Sequence, residues 1–435
     1  MSSNETPKKP VDRRSRWTPP PRPEWVQRAN EEGSYLDLRS VVPLDSSSLL
    51  DIAKRNTGLT DFGKDDWREP FEVLVKALDE EAALNLVGRL MTRSDLLMFL
   101  EGRLWIEHWY RKHPEIENEQ IVAPLLITGQ GRSGTSGLQN LLAADPANGT
   151  TMTWEVMLPN PPPETATYKT DPRRDIAHWR HSQWNRVVPE MAGMHDWSGY
   201  QPTENIHLQC LSFQSPVWLN ILGQVPSYNI YMHNKSLVPA FEYEKRALKY
   251  LQWRNPRKQW VLKTPVYLDM MPPTLEVYPD ARFVWIHRDP VQALSSAVAV
   301  AGTLNLIRSD RAYIGSEIDG FLGNLEAYAS AEASAATLNR VIGWLEDGVV
   351  PRNQLCNVQY RDFMRDPVGV VRSIYQFYGI QADQSRYDAM QRHIDAERSK
   401  PRERHAYDVG TQHDVSAERA LYKPYQDYFK VPSEG

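Results

Sequence analysis

A chain of 435 residues, 41% hydrophobic and 24% charged, has the balance of a soluble globular protein with one sizeable core. Its formal net charge of −5 provides no global basic field for nucleic acid, so a bound anion would need a local basic pocket. The two cysteines, Cys210 and Cys356, lack a CxxC partner, and no apolar run approaches the ~20 residues of a membrane span. A zinc site, a disulfide framework and a transmembrane segment are therefore not expected. The N-terminus starts polar and turns basic without an apolar signal core, which makes the cytoplasm the expected compartment.

Residues 1–34 carry scattered Lys and Arg and the run Pro19-Pro-Pro-Arg-Pro, and they read as an extended or disordered arm. Wrapping over a partner subunit is the alternative, and it would make the protein a homo-oligomer. Residues 35–118 read as a helical layer: Asp45-Ser-Ser-Ser offers capping groups, and apolar residues then recur at helical spacing through Leu104 and Trp105. An α/β domain follows over 119–396. Its first strand is expected at 122–128, its first helix at 135–144, and a long Pro-, Thr- and Asn-rich loop at 146–165. Further strands are expected at Trp260-Val-Leu-Lys, at Arg282-Phe-Val-Trp-Ile-His and at Leu355-Cys-Asn-Val-Gln-Tyr, each followed by a helix. Strands alternating with helices predict a parallel, doubly wound, P-loop-like sheet flanked by helices. Residues 397–435 read as a polar, irregular segment that closes over the site.

The most informative stretch is the loop after the first strand, where Gly129-x4-Gly134 has Walker A spacing. Walker A needs lysine at the next position, and Thr135 stands there, followed by Ser136. The loop's cation is Arg132. Such a loop cradles a phosphate with backbone N–H groups and a helix N-terminus, but it lacks the lysine that reaches the outer phosphates of ATP. Lys263 ends the second of the apolar strands. Arg288 ends the third, with Ser296 eight residues on, and Tyr360 follows the fourth. All belong at the carboxyl ends of parallel strands, where open α/β sheets bind ligands.

These motifs resemble those of the sulfotransferases that use 3′-phosphoadenosine-5′-phosphosulfate, in particular bacterial members related to tyrosylprotein and carbohydrate sulfotransferases. The resemblance covers roughly residues 120–385. The family's 5′-phosphosulfate loop is matched by Gly129, Arg132, Ser133, Gly134, Thr135 and Ser136, and Gly131 in the same loop is a further candidate for binding the co-substrate. Arg288 and Ser296 match its 3′-phosphate motif, Lys263 its strand-end lysine near the transferred group, and Tyr360 opens the segment after its usual fourth strand. The resemblance implies 3′-phosphoadenosine-5′-phosphosulfate as co-substrate, no metal, and a hydroxyl on an organic, lipid-like or other small molecule as acceptor. A general base must take the acceptor's proton. Glu155, in Thr153-Trp-Glu, lies where relatives often place a catalytic Glu; His195 and Glu204 compete for the role. His287 falls on the other side of its strand from Arg288 by alternation, and Asp289 reads as a helix cap. A late basic loop, Lys400 to Arg404, is a further candidate for the 3′-phosphate. The rival functions are a nucleotide kinase, disfavoured by the missing loop lysine, and a catalytically inactive nucleotide-binding protein.

Overall fold

A computed structural model describes residues 17–194, 197–215, 217–311, 330–399 and 412–434. Its centre is a five-stranded sheet, all parallel, with spatial order β2-β3-β1-β4-β5. The strands are β1 (Leu125–Thr128), β2 (Asn148–Thr150), β3 (Gln259–Lys263), β4 (Arg282–His287) and β5 (Leu355–Gln359). Side chains on successive strand positions point to opposite faces, and the strands are apolar on both. Leu125, Ile127, Val261, Val284 and Ile286 face the helices Thr135–Ala143 and Pro367–Phe377. Leu126, Leu262, Phe283 and Trp285 face the much larger opposite core, which runs into the N-terminal helices. The doubly wound reading is thus met by a sheet covered on both sides.

β1 lies between β3 and β4, with Ile127 level with Lys263 and Thr128 level with Trp285. The ends of three adjacent strands therefore open onto one crevice. The N-terminal helices reach this crevice indirectly. The long helix Leu86–Lys112 packs on the turns Asn205–Ser212, which immediately follow Glu204.

Three segments depart from the sequence expectation. The 146–165 stretch is not all loop: it contains β2 and the short helix Thr153–Met157. A three-residue edge strand of Asn, Gly and Thr has no apolar period and exists because β3 offers it a ladder. Residues 24–34 of the expected arm form a helix, Glu24–Ser34, starting after Pro23. Ahead of it, Trp17 packs so closely on the helix Pro290–Leu306 that a Cβ at Gly302 would lie 2.6 Å from its ring, and Arg22 ion-pairs with Asp310. The late segment expected to be irregular is largely a helix, Gln412–Phe429, with Tyr422 and Tyr425 buried. Its apolar period is carried by tyrosines among charged residues, which disguises it in the sequence. Among the described residues no helix is long and apolar enough to cross a membrane.

Candidate active site

The loop between β1 and its helix is shaped by two glycines. Gly129 has φ +154°, and a Cβ there would lie 2.5 Å from Ser133 Oγ and 2.6 Å from the Ile286 carbonyl. Gly134 has φ +97°, and its Cβ would press on the Tyr360 ring at 3.0 Å. A side chain at either position would push the loop off the sheet. Between them Arg132 itself adopts φ +73°, and Ser133 N–H closes a turn onto the Gln130 carbonyl at 3.1 Å. The helix that follows begins without a side-chain cap, so its first N–H groups are left for another acceptor. Ser133 Oγ is buried and has no hydrogen-bond partner among the described residues. An unpaired buried hydroxyl beside uncapped amides suits an anion that accepts from all of them.

Two arginines frame this loop. Arg132 donates through Nε to Ser296 Oγ at 3.0 Å and through Nη1 to the Met194 carbonyl at 2.9 Å. Arg288 donates to the Arg132 carbonyl at 2.8 Å and lies over the Tyr360 ring, 4.4 Å from its centroid. Its Nε and Nη2 take the two carboxylate oxygens of Glu434, each at 3.0 Å. Asp289 caps the Pro290–Leu306 helix by accepting from Val291 N–H at 3.1 Å and also accepts from Arg419 at 2.7 Å. The structure therefore brings together Gly129, Gly131, Arg132, Ser133, Gly134, Thr135, Ser136, Arg288, Ser296 and Tyr360.

On the β3 side, Lys263 Nζ donates to Glu204 Oε1 at 2.9 Å and Thr264 Oγ1 to Glu204 Oε2 at 2.8 Å. This pair forms one wall of a cavity of about 160 Å³ that also reaches Gly131, Arg132, Thr135 and Ser136. The remaining walls are apolar and include Trp197, Val217, Trp218, Ile221, Val300 and Leu304. One cavity thus joins the anion loop, a lysine, a carboxylate and a greasy slot.

Glu155 is placed elsewhere. It is fully buried at the start of the Thr153–Met157 helix, where Oε2 accepts the Met152 N–H at 3.1 Å and Oε1 pairs with Arg257. Arg257 is itself enclosed, donating to the Thr150 carbonyl at 2.6 Å and lying 4.4 Å from the Trp260 ring. Glu155 is absent from the cavity wall that holds Glu204. The Glu155 carboxylate, expected as a base, is thus engaged by a helix start and a buried guanidinium, away from the cavity that Glu204 and Lys263 line. His195 lies outside the described residues, as does the Lys400–Arg404 loop. His287 does face away from Arg288: its ring nitrogens sit 2.9 Å from Tyr425 Oη and 2.9 Å from Asn357 Oδ1, and burial drives its pKa down to about 3. Glu434 and Arg419 were not anticipated. They lie 146 and 130 residues from the groups they touch, and no local pattern announces such contacts.

The family model described as "Sulfotransferase family" matches residues 124–384. The chain belongs to the sulfotransferase family. Omega-hydroxy-beta-dihydromenaquinone-9 sulfotransferase Stf3 of Mycobacterium bovis is 26% identical over 279 residues, covering 60% of this chain and 64% of the relative. The chain thus spans less than two thirds of the length of the curated relatives it matches. Sulfotransferase STF1 of Mycobacterium tuberculosis H37Rv superposes with a TM-score of 0.70 at 26% identity, over 88% of this chain and 98% of that one. Sulfotransferase STF9 of Mycobacterium avium shares the fold, with a TM-score of 0.75 at 24% identity over 90% and 98% of the two chains. The matched region contains β1 to β5 and the segments that carry Arg132, Glu204, Lys263 and Arg288.

Proposed function

We infer that the protein moves a sulfuryl group from 3′-phosphoadenosine-5′-phosphosulfate to the hydroxyl of an apolar organic acceptor. The observation that carries this reading is the single cavity in which the anion loop meets Lys263, Glu204 and an apolar slot. Family membership supports the reaction class, and the printed activity of the Mycobacterium bovis relative, on a hydroxylated menaquinone, supports a lipid-like acceptor. The unpaired Ser133 hydroxyl and the uncapped helix support a phosphosulfate at the loop. Arg288 and Ser296 are the proposed readers of the 3′-phosphate; Arg132, within the loop, contacts both.

In this reading Lys263 steadies negative charge on the transferred group and the leaving phosphate oxygen. Glu204, rather than Glu155, takes the acceptor's proton. The acceptor oxygen forms a bond to sulfur as the bond from sulfur to the 5′-phosphate oxygen breaks, which leaves adenosine 3′,5′-bisphosphate. Lys263 and Glu204 pair at 2.9 Å. Donor oxygens would draw Lys263 away and leave the Glu204 carboxylate able to accept. The test is incubation with the donor and a panel of aromatic, isoprenoid and long-chain alcohols, reading the mass gain of one sulfo group. Sulfated product without added metal is the expected result. Phosphoryl transfer from Mg-ATP with no sulfated product would replace the reading with a kinase.

A further inference from the structure

The C-terminal segment places an acid on the arginine assigned to the 3′-phosphate. The helix Gln412–Phe429 packs on the helices Ala331–Glu346 and Pro290–Leu306. It ends at Lys430, which has φ +56°, and Val431 N–H returns to the Gln426 carbonyl at 3.0 Å. A left-handed residue after a helix reverses the chain, and burial of Val431 holds the reversal in place. The tail then runs back to the end of β4. There Glu434 N–H donates to Asp289 Oδ2 at 2.7 Å, while the Glu434 carboxylate takes Arg288 with both oxygens. A carboxylate set on the fork of an arginine presents the same paired oxygens as a phosphate. The Arg288 side chain is 14% exposed and that of Glu434 35%, so the acid lies on the solvent side of the pair and has a way out.

We propose that Glu434 is a built-in competitor for the 3′-phosphate. The tail occupies Arg288 when the nucleotide is absent, and it must release that arginine before a 3′-phosphorylated nucleotide binds. The inference rests on the reading of Arg288 as the 3′-phosphate site. A phosphate carries more charge than one carboxylate, so the nucleotide wins, but its apparent affinity is reduced by the fraction of molecules with the tail released. Release also gives up the Glu434 N–H bond to Asp289 and the 3.5 Å contact of Arg419 with the Glu434 carbonyl. Asp289 keeps Arg419 and its helix cap, and Tyr425 keeps His287.

The experiment is calorimetric titration of the full chain with adenosine 3′,5′-bisphosphate and with adenosine 5′-monophosphate. Glu434→Gln and Glu434→Ala should each tighten the bisphosphate roughly five-fold or more, the scale of one lost charge-assisted contact. Both should leave the monophosphate within about two-fold. In an Arg288→Ala background neither should have any further effect. Unchanged or weakened bisphosphate binding in the Glu434 variants, while Arg288→Ala still loses the 3′-phosphate preference, overturns the competitor and leaves the Arg288 reading standing. Retention of that preference in Arg288→Ala removes the Arg288 reading and the competitor with it.

Discussion

Two carboxylate–cation pairs lie at opposite ends of β3 and differ in what surrounds them. Glu155 and Arg257 are sealed: their side chains are 0% and 4% exposed, and the Glu oxygens are committed to a backbone amide and a guanidinium. Glu204 and Lys263 close at 2.9 Å, but they form the wall of a cavity, and the Glu side chain keeps 17% exposure. A sealed pair whose partner is removed leaves an uncompensated charge in low dielectric, so its worth is read in stability. A pair at a cavity wall can exchange its partner for a ligand, so its worth is read in turnover. Residue type and sequence neighbourhood are much alike in the two cases; access to solvent and ligand separates them.

The largest expected effect falls on the open pair. Glu204→Gln keeps shape and removes the proposed proton acceptor, so turnover should fall ~100-fold or more with donor affinity nearly unchanged. Lys263→Ala should lower turnover and weaken the donor as well. Steady-state kinetics with donor titration checks both, and near-normal turnover in Glu204→Gln would move the base elsewhere, with His195 the next to substitute.

The sealed pair should behave in the opposite sense. Glu155→Gln strands Arg257 in the interior and should cost about 3–5 kcal/mol of unfolding free energy, while turnover per folded molecule stays within a few-fold. Denaturant titration beside an activity assay separates the two. A variant of native stability with collapsed turnover would return Glu155 to catalysis and break the contrast.

A third effect concerns the open arginines. Arg288→Ala should remove about 1.5–3 kcal/mol of preference for a 3′-phosphorylated nucleotide over its 5′-monophosphate. Arg132→Ala should instead weaken both nucleotides. Equal losses for the two ligands in Arg288→Ala would show that Arg288 reads the 5′ end.

The smallest effect, per group, tests the sealed interior by pH. His181, His207 and His287 are buried, and desolvation lowers each pKa to about 3. Each is neutral in the fold and binds a proton in the unfolded chain below about pH 6.5, so its contribution is intact above that pH and lost as pH falls. Glu244 opposes them. Burial raises its carboxyl to about 7, so it adds stability as pH falls toward the ordinary carboxylate range. Three groups against one leave a net loss of about 1.4 kcal/mol per pH unit for each of two groups between roughly pH 6.5 and 4.5. Urea midpoints at two pH values within that window check the sign, and a midpoint that rises on acidification would mean the histidines are not held neutral.

The sequence by itself determined the anion loop, since two glycines at Walker A spacing after an apolar strand leave little choice of backbone. It also determined Lys263 and Arg288 as strand ends and Asp289 as a cap, because strand length, alternation and capping are local properties. Nothing local distinguishes Glu155 in Thr-Trp-Glu from Glu204 in Pro-Thr-Glu. Their surroundings differ because one carboxylate meets Arg257 in β3's leading loop and the other meets Lys263 at its end, and that depends on how the chain packs across the sheet. The same holds for Glu434. A carboxylate finds Arg288 only after a tyrosine-bearing helix docks, a left-handed residue turns the chain, and an amide anchors it to Asp289. Contacts of that sequence separation carry no periodic signal, because they are selected by the shape of the finished core and not by the propensities of the residues that make them.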